Sequence, residues 1–177
     1  ALRRCLAARV PAELEAELPP SGETQRWFRL RVRPVPEGLV LLSLDIDDRR
    51  RARRALEVLS ACREAVVTAP DEAALWAATC RLAVERGGYR LAWIGAKLDD
   101  PAQTVLPLAS AGLDDGYVAS IAATWGDGER GRGPVGRALA TGEPRIVRHL
   151  DDPDLEPWRE AARARGYGSV IAIPVKV

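Results

Sequence analysis

The chain has 177 residues with a formal net charge of +1, 47% hydrophobic residues and no methionine. That apolar share is enough for a packed core and argues against general disorder, and the near-balanced charge leaves no global field to draw in nucleic acid or an anionic membrane. No apolar stretch approaches a membrane span, and the three cysteines, Cys5, Cys62 and Cys80, form neither an even disulfide set nor a zinc-ligand spacing, so the chain reads as cytosolic.

A short helical stretch is expected over Leu2–Ala8. From Glu13 to Leu18 the residues alternate, with Leu14, Ala16 and Leu18 on one face and three glutamates on the other. After the turn-forming PPSGE, the run from Trp27 to Val35 alternates again, with Phe28, Leu30 and Val32 against Arg29, Arg31 and Arg33. Folded into an antiparallel hairpin, the two runs set Glu13, Glu15 and Glu17 opposite Arg29, Arg31 and Arg33 on the wet face. A solvated, paired sheet face is preferred over a phosphate-binding surface, because it explains both charge rows at once. A turn at Pro36–Gly38 leads to a third strand, Leu39 to Ile46, more apolar on both faces. Three strands bury too little for an independent domain, so earlier residues are expected to complete it.

The string RWFRLRVRPVPEGLVLLSLDIDDRR resembles the closing strands of a PAS domain, with Asp45, Ile46 and Asp47 standing where that family ends in an Asp-Ile-Thr type signature. The resemblance covers residues 1–47, and it implies a ligand pocket mainly in the part of the domain that precedes them.

A helix is predicted from Asp48 to Val67, which has an acidic start and no glycine or proline. Ala52, Ala55, Leu59, Cys62 and Val66 recur at spacings of three and four, and Leu56 widens the stripe, so two copies could pair along it. The bland alternative is a helix packed on its own domain. The run Arg49–Arg54 has no interleaved aromatics and reads as a solvated collar in preference to a nucleic-acid site.

Pro70 and Asp71 introduce a second helix, Glu72 to Arg86, ended by Gly87-Gly88. YRLAWIGA and TVLPLASAG read as a hairpin, Asp114 to Trp125 as a short helix, GDGERGRG as a glycine-rich loop and PVGRALATGEP as a proline-started helix. A strand RIVRHL, a loop DDPDLEP, a helix WREAARARGYG and a strand SVIAIPV follow. Strands and helices alternate irregularly, which predicts an α+β fold with an antiparallel sheet.

The strings YRLAWIG, LPLASAGLDDGYVASI, TWGDGERGRGPVGRALATGEPRIV and DDPDLEPWREAARARGYGSVIAIPV, in that order over residues 70–177, resemble a GAF domain of the kind found beside PAS domains in bacterial histidine kinases and in diguanylate cyclases or phosphodiesterases. His149 and Leu150 depart from the Asp-Ile pair common there. The family's closing strands and final helix are not in the sequence, so the chain reads as cut at both ends: residues 1–47 a PAS end, 48–69 a connecting helix, 70–177 a truncated GAF domain.

The glycine-rich stretch Gly126–Gly136 lacks the lysine and spacing of a phosphate loop. Its glycines are expected to shape one wall of a small-molecule cavity, with Tyr89, Trp93, Tyr117, Trp125, Trp158 and Tyr167 nearby and Arg137 or Ser169 as polar anchors. Core packing is the competing account of each aromatic. A valine at Gly133 is expected to block a ligand without unfolding the domain. His149 is the only histidine, which excludes a multi-imidazole metal site and leaves a surface histidine as the better account. Asp151, Asp152 and Asp154 could be imagined as a hard-cation loop, but Asp-Pro turns and an acidic helix start explain them better.

The expected function is therefore a sensory and regulatory module, not an enzyme, that binds an unidentified small molecule or partner and relays the change through helices. Asp45, Leu56, Leu59 and Val66 are the expected dimer and relay positions. The implied partners are a second copy and an output domain in the same chain, with no nucleic acid and no membrane span. No cofactor can be named, and the contexts of a haem or bilin ligand are not found around His149, Cys80 or Cys62. A structural dimerisation module with a self-filled cavity is the alternative, and a cysteine-based cavity reductase is a third.

Overall fold

The computed structural model describes residues 9–18 and 26–175. The helix expected over Leu2–Ala8, Cys5 and the PPSGE turn lie outside the described residues. The chain divides into two compact units, Ala1–Glu57 and Val58–Val177.

In the first unit β1 (Ala12–Leu18), β2 (Arg26–Val35) and β3 (Gly38–Asp45) form an antiparallel sheet in the order β1-β2-β3. Glu13 stands opposite Arg31 and Glu15 opposite Arg29, and the charges meet: Arg29 to Glu15 at 2.9 Å, Arg31 to Glu13 at 3.0 Å. The Arg29 hydrogen bond holds the Glu15 carboxyl below its ordinary range. Two pairings differ from expectation. Glu17 faces Trp27, and Arg33 faces Val40 of β3, because alternation assigns residues to faces while the register is set one pair further along. Leu30 and Val32 are buried, Leu14 and Phe28 half-buried. On β3 Val40, Leu41, Leu42 and Leu44 are 54–59% exposed.

The sheet passes into α1 (Asp47–Thr68) through a compact clasp. Asp45 accepts the Asp47 amide at 2.9 Å and the Arg26 guanidinium at 3.1 Å, while Asp47 accepts the Trp27 amide at 2.9 Å. Arg50 stacks 3.9 Å from the Trp27 ring centroid and pairs with Glu15 at 2.9 Å. Within the arginine run, Arg51 pairs with Asp47 and Arg53 with Glu57 as well, so much of the collar is engaged in local ion pairs.

In the second unit Ala61 and Ala65 of α1 pack with Leu82 of α2 (Glu72–Glu85), the small side chains letting the helices approach. Asp71 caps α2, accepting the Ala74 amide at 2.8 Å. The helix lies on the antiparallel pair β4 (Leu91–Lys97) and β5 (Val105–Gly112), which carries a bulge at Ile94/Gly95. Cys80 is buried there, its thiol directed at the Ala109 carbonyl at 3.6 Å.

The helix expected over Asp114–Trp125 is reduced to a single turn, α3 (Tyr117–Ser120). Ala122 takes φ 42°, a left-handed conformation that ends the helix. The chain then runs beside the start of β5, with Val105 donating to Ala123 and Trp125 to Gln103, each at 2.9 Å. A turn of 3₁₀ helix, Glu129–Arg132, lies inside the stretch expected to be loop, and α4 (Pro134–Thr141) follows, closed by Gly142 at φ 69°.

The last elements are β6 (Arg145–Val147), a 3₁₀ segment Pro153–Trp158, α5 (Arg159–Ala164) and β7 (Val170–Ala172), which pairs antiparallel with β6. Both strands and α5 are shorter than predicted. Gly166 at φ 66° and the turn of Tyr167 back onto α5 stop the helix. The fold is α+β with antiparallel sheets, and one core joins Val105, Tyr117, Ile121, Val147, Leu155, Trp158, Ala162 and Tyr167.

Candidate functional site

Between the Glu129–Arg132 turn and the Pro153–Trp158 turn lies an open cleft of about 590 Å³, lined by Asp127, Gly128, Glu129, Arg132, Arg137, Pro153, Asp154, Glu156, Pro157 and Arg159. Its walls come from two segments brought together by packing behind them. A Cβ at Gly133 would lie 2.3 Å from the Trp158 ring, so only glycine lets the first turn approach the second. Trp158 is fixed in turn, its indole N–H donating to the Ile121 carbonyl at 2.7 Å.

Asp154 is the buried charge of this region, with a side chain only 5% exposed. Arg137 meets it at 2.9 Å and Arg145 at 2.6 Å. Asp152 accepts the Asp154 amide at 2.9 Å and holds the turn in place. A carboxylate removed from water needs such partners, and two guanidiniums supply them. Arg137 also donates to the Arg132 carbonyl at 2.8 Å, which ties α4 back to the first wall. Arg159 pairs with Glu156 at 2.7 Å and donates to the Leu150 carbonyl at 3.0 Å.

Of the residues expected at a cavity, Arg137 lines this cleft, and Gly133 and Trp158 form the contact behind it. Tyr117 and Tyr167 are in the core, ring centroids 5.3 Å apart in an edge-on contact. Burial pushes both phenols above the ordinary tyrosine range. Trp93 is half-buried against the same core. Trp125 donates to the Leu98 carbonyl at 2.8 Å and carries the Lys97 ammonium 3.7 Å from its ring centroid. Tyr89 and Ser169 are exposed, at the α2–β4 connection and just before β7. The expectation for Gly133→Val changes: the added side chain would strike a pinned, buried indole, so it acts on the fold before it acts on a ligand.

Of the charged lining, the sequence pointed only to Arg137 and, as one carboxylate of an acidic stretch, to Asp154. Asp154 belonged there to an acidic turn, and its partners stand 17 and 9 residues earlier, too far for any local pattern to join them. His149 is exposed. Among the described residues no group of three or more metal-ligating side chains comes together, and no helix is long and apolar enough to cross a membrane.

This order of elements has a counterpart among known proteins: the family model of the GAF domain matches residues 69–177. The chain belongs to the GAF family. No curated protein matches the chain. GAF domains are commonly regulatory modules that bind small ligands, so the matched segment is a sensing or regulatory domain and no catalytic activity is indicated for it. In the GAF segment Cys80 fits that reading, since burial raises its thiol pKa and disfavours the reactive thiolate.

Proposed function

We propose that the chain is a sensory relay in a bacterial, cytoplasmic signal-transduction protein: residues 1–47 the end of a PAS domain, 48–69 a signalling helix, and the rest a GAF domain whose charged cleft takes a small ligand. An output domain in the same protein, a histidine kinase or an enzyme of cyclic di-GMP turnover, receives the change. The observation that carries this reading is on α1. The helix is continuous for 22 residues, and while Ala61 and Ala65 are buried, Leu56, Leu59 and Val66 are 66%, 49% and 65% exposed. An apolar row left open on a long helix suits a parallel partner helix in a homodimer. The Asp45–Asp47–Trp27 clasp supports the PAS reading, because it ties the helix start to both adjacent strands, Asp47 bonding Asp45 of β3 and Trp27 of β2 while Arg26 of β2 holds Asp45, rather than leaving a loose linker.

The test is Leu59→Glu followed by sedimentation. Losing a buried leucine costs about 1.5–3 kcal/mol per protomer, which over two protomers weakens a dimer by roughly two to four orders of magnitude. An unchanged sedimentation profile sinks the relay geometry. A second reading, a structural dimerisation module, is favoured by Tyr117, Trp158 and Tyr167 packing into the core. Output activity of the full-length protein, compared with and without a ligand bound in the GAF segment, separates the two.

A further inference from the structure

We propose that the cleft of the GAF segment takes a small amphoteric molecule, one with an anionic group at one end and an ammonium or guanidinium at the other. The inference rests on reading the cleft as a ligand site and names the class that site would accept. It follows from which charges the protein has already matched. Asp154 is matched by Arg137 and Arg145, and Glu156 by Arg159. Among the described residues that line the cleft, the charged side chains left without an ion partner are Asp127, Glu129 and Arg132, all from the first turn and the residues leading into it.

That remainder carries both signs. An anion alone would meet Arg132 but also two unmatched carboxylates, and a cation alone would meet the reverse. A divalent metal is disfavoured because no group of three or more ligating side chains assembles among the described residues and the adjacent guanidiniums repel it. Asp154 adds a direction. Two guanidiniums converge on one buried carboxylate, and that of Arg137 is 52% exposed, so the Arg132–Arg137 side of the cleft favours the anionic end. Asp127 and Glu129 are the carboxylates left for the cationic end. Arg137 is held on the Arg132 backbone carbonyl and is already oriented, which reduces the ordering cost of binding.

The experiment is a ¹⁵N NMR titration of the whole chain that follows the Arg137 Nε–H. Its acceptor is a backbone oxygen, so the probe survives substitution of Arg132. The titrants are 4-aminobutanoate and 6-aminohexanoate, each set beside its singly charged counterparts, butanoate with butylamine and hexanoate with hexylamine. Saturable binding is expected for a two-ended compound, about tenfold tighter than for its single-ended relatives, since each end adds a charge-assisted contact. Arg132→Gln is expected to reduce the two-ended compound to the affinity of the amine. Asp127→Asn combined with Glu129→Gln is expected to reduce it to that of the carboxylate. Equal binding by an acid or an amine overturns the amphoteric class while leaving the cleft a binding site. Failure of every compound to bind overturns the class as well, and the relay reading is then judged separately by Leu59→Glu.

Discussion

Substituting Gly133 by alanine tests the contact that shapes the cleft. Gly133 has φ −70° and ψ 176°, which any residue adopts, so the substitution adds no backbone strain and reads steric fit alone. The new Cβ would lie 2.3 and 2.5 Å from two atoms of the Trp158 six-membered ring and 3.3 Å from the Arg130 carbonyl oxygen. The first two contacts are more than 1 Å inside normal carbon–carbon separation. The indole cannot retreat freely, being 8% exposed and tied to Ile121. Overpacking of this kind costs about 1–3 kcal/mol. If the ring is pushed off the Ile121 carbonyl, the buried acceptor adds about 1–3 kcal/mol, so a total of about 2–6 kcal/mol is expected. Urea denaturation of the chain should show the midpoint falling with the m-value unchanged. Gly128→Ala is the control, since its Cβ would have nothing within 4 Å, and it should stay within about 0.5 kcal/mol of the parent. Combining Gly133→Ala with Trp158→Phe should cost less than the sum of the single changes. A Gly133→Ala chain as stable as the Gly128→Ala control would refute the argument.

Asp154→Ala should destabilise by about 2 kcal/mol in urea titrations, because two guanidiniums lose a buried acceptor. Their own exposure, 52% and 40%, keeps the cost below that of a fully buried ion cluster. Tyr117 and Tyr167 titrate at higher pH when folded than when unfolded, so their contribution is fully present below about pH 10 and is lost as pH rises through the folded values. Stability followed by circular dichroism should therefore fall on the alkaline side, and Tyr167→Phe should flatten that fall. Asp47→Ala removes the acceptor of the Trp27 amide at the start of α1 and should cost about 1 kcal/mol, read as a lower urea midpoint.

What could be read in advance depended on the range over which each signal acts. The glutamate and arginine rows of the hairpin are local alternations, and they put the two rows opposite each other; which glutamate meets which arginine, Glu15 on Arg29 and Glu13 on Arg31, they leave open. The offset that moves Glu17 onto Trp27 is carried by register, which alternation does not encode. The extent of α1 was legible because 20 residues without glycine or proline leave few choices. The end of α3 was not, since the positive φ of Ala122 has no local cue in an alanine and follows from pairing with β5. At the site, the glycine-rich stretch suggested a cavity wall, but Gly133 is there to make room for a core tryptophan. The Arg137–Asp154–Arg145 cluster depends on two turns meeting in space, so its members looked like unrelated surface charges.

The outer edge of β3 bears on how any self-association of this chain is interpreted. Among the described residues β3 is hydrogen-bonded to β2 alone, and four of its apolar side chains are more than half exposed. Such a strand offers free backbone donors and acceptors beside a sticky surface, the combination from which sheets grow by adding further strands. Self-association of this stretch of chain would accordingly be of two chemically different kinds, the proposed helical seam, which closes at two, and a sheet edge, which need not close at all. Association through the edge should strengthen with temperature and protein concentration and spread into a ladder of sizes, whereas association through the helix should stop at the dimer. A mass distribution, rather than an average mass, is the quantity that tells them apart.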